Sequence, residues 1–395
     1  MNEGKVDLLY AISVAITNKI KGLRDSAERR LNNKLIQKVL ANPRSIVVTR
    51  LQNVGDMVAF IPSLIKLREL YPEAEILLLG KHRAGIETIK GAPFIDGILE
   101  VGKGSLGDKL RLFRLLRNKG IDLFIISSQD QGRVPWALFS GAKVIVAFDK
   151  VTRYNGEVKE KLRPLISLRV EYNAELSDAE NNLRLIEALG CNISNVITRF
   201  DWIGREEQQS IDMQLRRLWS DNNEPLVVFS PGTKRPSRAW PSGNFREVAV
   251  KLKRKLGAKI VLVGTEKESA INELIRGGDQ FIVNLAGKTS IHGLGYLLSN
   301  ADLVVSVDSG PMHIAAAVGV PVVAMFGPGD YKTWKPYSSS PHMIAILRHP
   351  CECSPCLHYE CPRERHECME GITVEMVLSE AERLLKMTGK ISAAN

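Results

Sequence analysis

Short runs of β-branched and aliphatic residues alternate with stretches of helical spacing along most of this chain, and the alternation comes in two series. In the first, residues 45–49, 75–79, 121–126 and 143–147 read as strands, with helical patterns over 57–70, 108–119 and 178–189. The rhythm restarts with strands at 226–230, 259–263, 280–284, 303–307 and 320–325, separated by helical patterns over 244–256, 266–276, 291–299 and 312–318. Strand and helix in strict alternation build βαβ units around a parallel sheet. At 395 residues the chain is longer than one core usually serves, so two such units in series are expected. The fold class is therefore α/β, with two Rossmann-like domains facing a central cleft and a ligand at the carboxyl ends of the strands.

The expected domain boundaries follow changes in composition. Residues 1–43 form a basic extension, 44–203 a first Rossmann-like domain, 204–224 a polar hinge ending before Pro225, 225–345 a second Rossmann-like domain, and 346–395 a Cys-rich segment with a closing helix. That closing helix, over 374–386, is expected to pack back near the first domain. Within residues 5–40 an apolar stripe at Leu8, Leu9, Ile12, Ile16 and Ile20 is followed by a run of Lys and Arg. The pattern fits a basic amphipathic helix, either docked on the protein body or lying on a membrane surface.

The formal net charge of +10 points to an anionic partner without saying which. With 44% hydrophobic and 25% charged residues, neither a disordered chain nor a multi-span membrane protein is favoured. No run reaches the roughly 18–20 apolar residues that span a bilayer, and residues 1–4 lack a basic signal-peptide start, so a cytoplasmic location is expected.

Four turns at strand ends carry the candidate chemistry. After the first strand comes Arg50-Leu51-Gln52-Asn53-Val54-Gly55-Asp56-Met57. Asp56 there is either a helix-capping carboxylate or a general base able to take a proton from an attacking hydroxyl. Without G-x-G-x-x-G, the turn is not built for a dinucleotide pyrophosphate. At the start of the second series, Ser230-Pro231-Gly232-Thr233 runs into Lys234, Arg235 and Arg238. A small-residue turn with three nearby cations suits a diphosphate, which needs oriented donors once water is excluded. The bland alternative is a solvated basic loop. Glu266, after the strand ending at Val263, is placed either to hold a ribose hydroxyl or to complement a helix dipole.

The sharpest pattern is Asp308-Ser309-Gly310-Pro311-Met312-His313-Ile314-Ala315-Ala316-Ala317, a buried strand entering a small-residue helix. Ser309 and Gly310 can present backbone amides to phosphate. His313 is either a core histidine or a ligand contact.

Taken together, these four turns resemble glycosyltransferase family 9, the lipopolysaccharide heptosyltransferase family. The D-S-G-P-M-H-I-A-A-A run followed by Phe326-Gly327-Pro328 is the most specific part of the likeness. The resemblance implies the two-Rossmann GT-B fold, inverting transfer from a nucleotide-sugar donor, usually ADP-heptose, and a lipid-linked saccharide acceptor, the inner core on lipid A. It implies no cofactor or metal for catalysis, and an enzyme acting at the cytoplasmic face of the inner membrane through peripheral contact. By the same resemblance Asp56 is the catalytic base. Thr233 and Arg238 bind the diphosphate, with Lys234 of the same basic loop beside them in the donor site, Glu266 binds the ribose, and Asp308, Ser309, Gly310 and His313 the donor sugar and phosphates. Arg238 stands where relatives commonly have Lys before the Trp-Pro pair, exchanging a point charge for a planar fork.

Five of the six cysteines fall within eighteen residues, from Cys351 to Cys368. Cys353, Cys356, Cys361 and Cys368 are candidate ligands for a structural zinc, although the second pair is spaced more widely than zinc motifs usually are. Two alternatives stand beside the main reading. One is a transferase of the same family using another nucleotide sugar for a different surface glycan. The other is a zinc-containing nucleic-acid-binding protein, disfavoured because the Cys-rich segment carries Tyr359 alone among aromatics together with several acids. No nucleic-acid partner is expected.

Overall fold

The computed structural model describes residues 26–101, 106–128, 133–149, 164–218, 224–356 and 358–391. It divides into two compact units, Met1–Val196 and Ile197–Asn395. The apolar stripe from Leu8 to Ile20 lies outside the described residues. Of the basic extension, the helix Ser26–Ala41 is described, with Ile36 and Val39 buried on the first unit and the Tyr71 hydroxyl donating to the Leu40 carbonyl at 2.9 Å.

The first unit holds a six-stranded sheet of β1 (Ser45–Thr49), β2 (Glu75–Gly80), β3 (Gly97–Glu100), β4 (Leu123–Ile126), β5 (Val144–Phe148) and β6 (Leu168–Val170). The second holds β7 (Leu226–Ser230), β8 (Lys259–Leu262), β9 (Ile282–Asn284), β10 (Leu303–Val307), β11 (Val322–Phe326) and β12 (Ile344–Arg348). Every pairing is parallel. The strand orders are β3-β2-β1-β4-β5-β6 and β12-β11-β10-β7-β8-β9. Read from β9, the second order repeats the first, so each unit is a doubly wound sheet of Rossmann type.

Helices on both faces explain why the central strands are apolar throughout. All five residues of β1, β5, β10 and β11 are buried, as a parallel sheet covered on both sides requires. Each fully buried aliphatic side chain contributes roughly 1.5–3 kcal/mol relative to exposure. The strands that the sequence pattern does not reveal are β3, β6 and β12, short or edge elements whose burial is mixed.

Two expected elements take a different form. The pattern over 266–276 is a 3₁₀ turn, Glu266–Glu268, followed by the helix Ser269–Arg276. The closing helix, Val374–Met387, does not spend its apolar stripe on the first unit. Val377, Ala381, Leu384 and Leu385 sink into the second unit's core with Phe245, Val248 and Leu252. In the polar stretch after Gly204, the helix Arg205–Leu218 packs within the second unit on the helix Ile291–Ser299, where the Tyr296 hydroxyl meets Asp212 Oδ1 at 3.1 Å. Among the described residues no helix is long and apolar enough to cross a membrane.

Candidate active site

Doubly wound sheets bind ligands where the strand order reverses, beyond the carboxyl ends of the strands. In the first unit that point lies between β1 and β4, in the second between β7 and β10. The sequence-predicted residues Asp56, Thr233, Asp308 and Ser309 follow directly from β1, β7 and β10, so both switch points are furnished with them.

In the first unit, β1 runs through Arg50 into the helix Val54–Leu70. Asp56 sits in the first helical turn, and its Oδ2 accepts the Asn53 amide at 3.1 Å. The capping role is therefore real, yet the side chain remains 20% exposed. Burial pushes the Asp56 carboxyl above the ordinary carboxylate range; Arg50 pulls it down, Asp178 pushes it up, and the backbone amides of Asn53 and Asp56 pull it down. The result is a carboxylate with more proton affinity than usual.

Sequence reasoning missed the group behind it. Arg50 is wholly buried and lies against Phe60, 5.6 Å from the ring centre. Its Nε donates to the Asp56 carbonyl at 2.8 Å and its Nη2 to Asp178 Oδ2 at 2.5 Å. The Ser128 hydroxyl, just beyond β4, donates to the other Asp178 oxygen, and Asn182 bonds to Ser128 through both its amide groups. A charged residue ending a fully buried strand was the available signal, because an ion there needs a buried partner.

In the second unit, the loop after β7 places Pro236–Arg238 in a 3₁₀ turn. Arg238 Nη1 lies 3.0 Å from Asp308 Oδ2, so two predicted donor-site residues form one ion pair, 23% and 5% exposed. Gly329 is required beside it, since a Cβ there would stand 2.5 Å from Asp308 Oδ2. Ser309 precedes the helix Gly310–Val318 without capping it through its side chain. Its hydroxyl turns instead toward Ser306 and Ser230, at 3.2 and 3.5 Å. First-turn amides of a helix carry partial positive charge suited to an anion.

Thr233 is half-buried with its Oγ1 accepting the Arg235 amide at 3.3 Å, and Lys234 is exposed. His313 is 5% exposed, within the helix body. Glu266 is exposed, whereas Glu268 is the acid folded against the loop, accepting from the Thr265 amide at 2.5 Å and hydroxyl at 3.1 Å. The Thr265-x-x-Glu268 spacing is a capping-box signature that the sequence carries openly. Glu268 presses so closely on Gly232 that a Cβ at that position would fall 2.2 Å from its carboxyl carbon.

The Cys-rich segment is sewn to this same region. Ser237 donates its amide to the Tyr359 carbonyl at 3.0 Å and its hydroxyl to the His358 carbonyl at 2.7 Å. On the other side the Cys356 amide donates to the Pro328 carbonyl at 2.9 Å and the Ser354 hydroxyl to the Gly327 carbonyl at 2.8 Å. The four-thiolate zinc site expected from Cys353, Cys356, Cys361 and Cys368 is not assembled. Among the described residues no three His, Cys, Asp or Glu side chains are gathered as a metal ion would need. The wide spacing of the second pair is the reason: Cys361 stays in the loop while Cys368 enters the short helix Glu367–Glu370 and turns into the core with Met369. Burial and the neighbouring thiols push Cys368 up to about 12. The sulfurs of Cys351 and Cys353 lie 3.5 Å apart, and all six cysteines are free thiols.

Known proteins agree with this architecture. Lipopolysaccharide heptosyltransferase 3 of Escherichia coli K12 is 27% identical over 299 residues, an alignment spanning 72% of this chain and 83% of that protein. The crystal structure of a family 9 glycosyl transferase from Veillonella parvula superposes with a TM-score of 0.71 at 22% identity, covering 88% of this chain and 98% of its own. That of E. coli ADP-heptose LPS heptosyltransferase II gives 0.66, also at 22% identity, covering 88% and 99%. The two Rossmann-type sheets and these neighbours make the fold GT-B, as the sequence resemblance implied. The family-wide sequence pattern spans residues 109–366, taking in both second-unit loops and leaving Asp56 before its start. By that match the chain is an enzyme of Glycosyltransferase family 9 (heptosyltransferase).

Proposed function

We propose that this protein transfers heptose from ADP-heptose to a hydroxyl of the lipopolysaccharide inner core on a lipid A-linked acceptor, with inversion at the anomeric carbon. The observation that carries the mechanism is the partly exposed carboxylate of Asp56, set in the first helical turn at the switch point of the first sheet, where burial favours its holding a proton. Asp56 takes the proton of the acceptor hydroxyl as its oxygen bonds to the anomeric carbon, and the bond from that carbon to the diphosphate breaks. Negative charge then grows on the departing ADP. Thr233, Lys234 and Arg238 hold the diphosphate, and the amides at Ser309 and Gly310 meet the growing charge. Glu266 holds the ribose, and Asp308 and His313 act on the donor sugar side. Support for the substrates comes from the lipopolysaccharide heptosyltransferase 3 relative and from the heptosyltransferase II neighbour, whose name carries ADP-heptose.

The lipid-linked acceptor requires the enzyme to work at a membrane surface, and the cations of residues 5–40 suit the anionic cytoplasmic leaflet. The test is transfer by the purified full chain onto lipid A carrying inner-core sugars, read by mass spectrometry, with ADP-heptose and other nucleotide sugars offered separately. Asp56→Asn is expected to lower turnover by about 10²–10⁴-fold. No product from ADP-heptose removes the named donor, and full turnover in Asp56→Asn removes the mechanism.

A further inference from the structure

The buried ions beneath Asp56 have no assigned task. Arg50 and Asp178 are 0% and 1% exposed in their side chains, and enclosing both ions is expensive compared with an apolar pair of the same volume. Arg50 cannot leave the turn, because its Nε is bonded to the Asp56 carbonyl. Its guanidinium must nevertheless choose between two carboxylates, and it stands 2.5 Å from Asp178 but 4.0 Å from Asp56 Oδ1.

We propose that Asp178 is a positioning residue: it engages the Arg50 guanidinium and so keeps that cation from closing onto Asp56, leaving the Asp56 carboxylate to take a proton. The inference rests on reading Asp56 as the base of the transfer reaction. Asp178 is itself held in place. It opens the helix Asp178–Glu187, whose preceding Ser177 is fixed by Glu180, and that helix packs on Val54–Leu70. Ser128 bonds to one Asp178 oxygen, while Asn182 ties Ser128 to the Asp178 carbonyl through contacts of 3.0 and 2.7 Å. Both oxygens of Asp178 are thereby directed, one to Ser128 and one to Arg50.

Charged groups on the helix Arg83–Ile89, which packs on Val54–Leu70, include His82 at its cap, Arg83 and Glu87. His82 and Arg83 are exposed, and Glu87 lies 3.9 Å from Lys90. Water screens these groups, whereas the Arg50–Asp178 pair acts through the protein interior.

Carboxyl NMR of aspartate-labelled protein, with the Asp56 signal assigned by its loss in Asp56→Asn, follows this titration without substrate. In Asp178→Asn the repulsion from Asp178 is lost and the guanidinium is released toward Asp56, so the Asp56 midpoint is expected to fall by about one pH unit or more, the part due to the guanidinium being the part that Ser128→Ala reproduces with every charge kept. The acid limb of the pH–rate profile moves with it, to lower pH, and Asp178→Glu restores both. A purely structural role for Asp178 would lower activity and leave the midpoint in place. Ser128→Ala keeps every charge and loosens Asp178, so it shifts the midpoint the same way by less, and it serves if Asp178→Asn does not fold. An unmoved Asp56 midpoint in the folded variant overturns the proposal. A shifted midpoint in a protein that transfers no sugar counts against the functional reading alone.

Discussion

Replacing Arg238 with alanine separates the two tasks that the second unit sets for one guanidinium. The pair with Asp308 is short, 3.0 Å, but asymmetric, since Arg238 is 23% exposed and Asp308 only 5%. Removing one partner of a fully buried pair costs about 3–5 kcal/mol. Partial exposure of the arginine brings the expected loss to about 2 kcal/mol, which for a unit of this size lowers the unfolding midpoint by about 4–8 °C. Donor binding loses a charge-assisted contact to diphosphate of about 1.5–3 kcal/mol, a weakening of about 10–150-fold for ADP. The double variant Arg238→Ala/Asp308→Asn removes the buried charge that the single variant strands. It is expected to recover most of the midpoint while ADP affinity stays low. Calorimetric titration with ADP and thermal unfolding of the four proteins complete the cycle. Wild-type ADP affinity in Arg238→Ala would refute the phosphate-binding role and leave Arg238 as a structural partner of Asp308.

Gly232→Ala drives a methyl group into the Glu268 carboxylate and must break its bonds to Thr265, so stability should fall by about 1–3 kcal/mol, read by urea unfolding. Trp240→Phe strands the Ile372 carbonyl that the indole N–H now meets at 2.8 Å in the buried core, a further loss of about 1–3 kcal/mol visible in the thermal midpoint. Asp56→Asn should stabilise the protein near neutral pH while disabling it. Burial in the folded state raises the Asp56 pKa above that of an ordinary aspartate, so the ionised side chain disfavours folding. That penalty is absent below the unfolded pKa, develops as pH rises through the folded one, and is then constant. Unfolding measured across the acid range should show this component in the wild type and not in Asp56→Asn.

The strands that form the centre of each sheet were legible because parallel strands covered on both faces need unbroken apolar runs, and 45–49, 226–230 and 303–307 supply them. Edge strands were not, because β12 alternates buried with half-buried residues and β3 is half-buried or exposed. Asp56, Thr233 and Asp308 could be singled out because strand-end turns of unusual composition stand out in the sequence, and the structure places those turns at the switch points. Asp178 was visible only as the start of a helical pattern. Its partner lies far away in sequence at Arg50, and no local spacing reports a pair brought together by the packing of two helices. The cysteines misled for the converse reason. Their sequence density suggested shared ligation, but a side chain's direction is set by its element, and Cys368 is carried into the core by the short helix Glu367–Glu370.

The two switch points use the same chemical pair in opposite ways, and the difference follows from where each ion meets water. In the first unit both members, Arg50 and Asp178, are closed off and bonded to each other, and burial of the neighbouring Asp56 raises its proton affinity against the pull of Arg50. A proton acceptor needs such surroundings, because a cation bonded directly to it would hold it ionised and lower its basicity. In the second unit the carboxylate is the buried member and the guanidinium the exposed one, on a turn that also carries Lys234 and Arg235. Arg238 retains donors beyond the one facing Asp308, since a guanidinium carries five. On the proposed reading, the ion pair with Asp308 holds that fork near its place before any ligand arrives, and a preorganised cation would bind phosphate with less loss of side-chain freedom than a mobile lysine. Exchanging Arg238 for lysine therefore keeps the charge and forfeits the orientation, so ADP binding should weaken by less than in Arg238→Ala but should not return to the wild-type value.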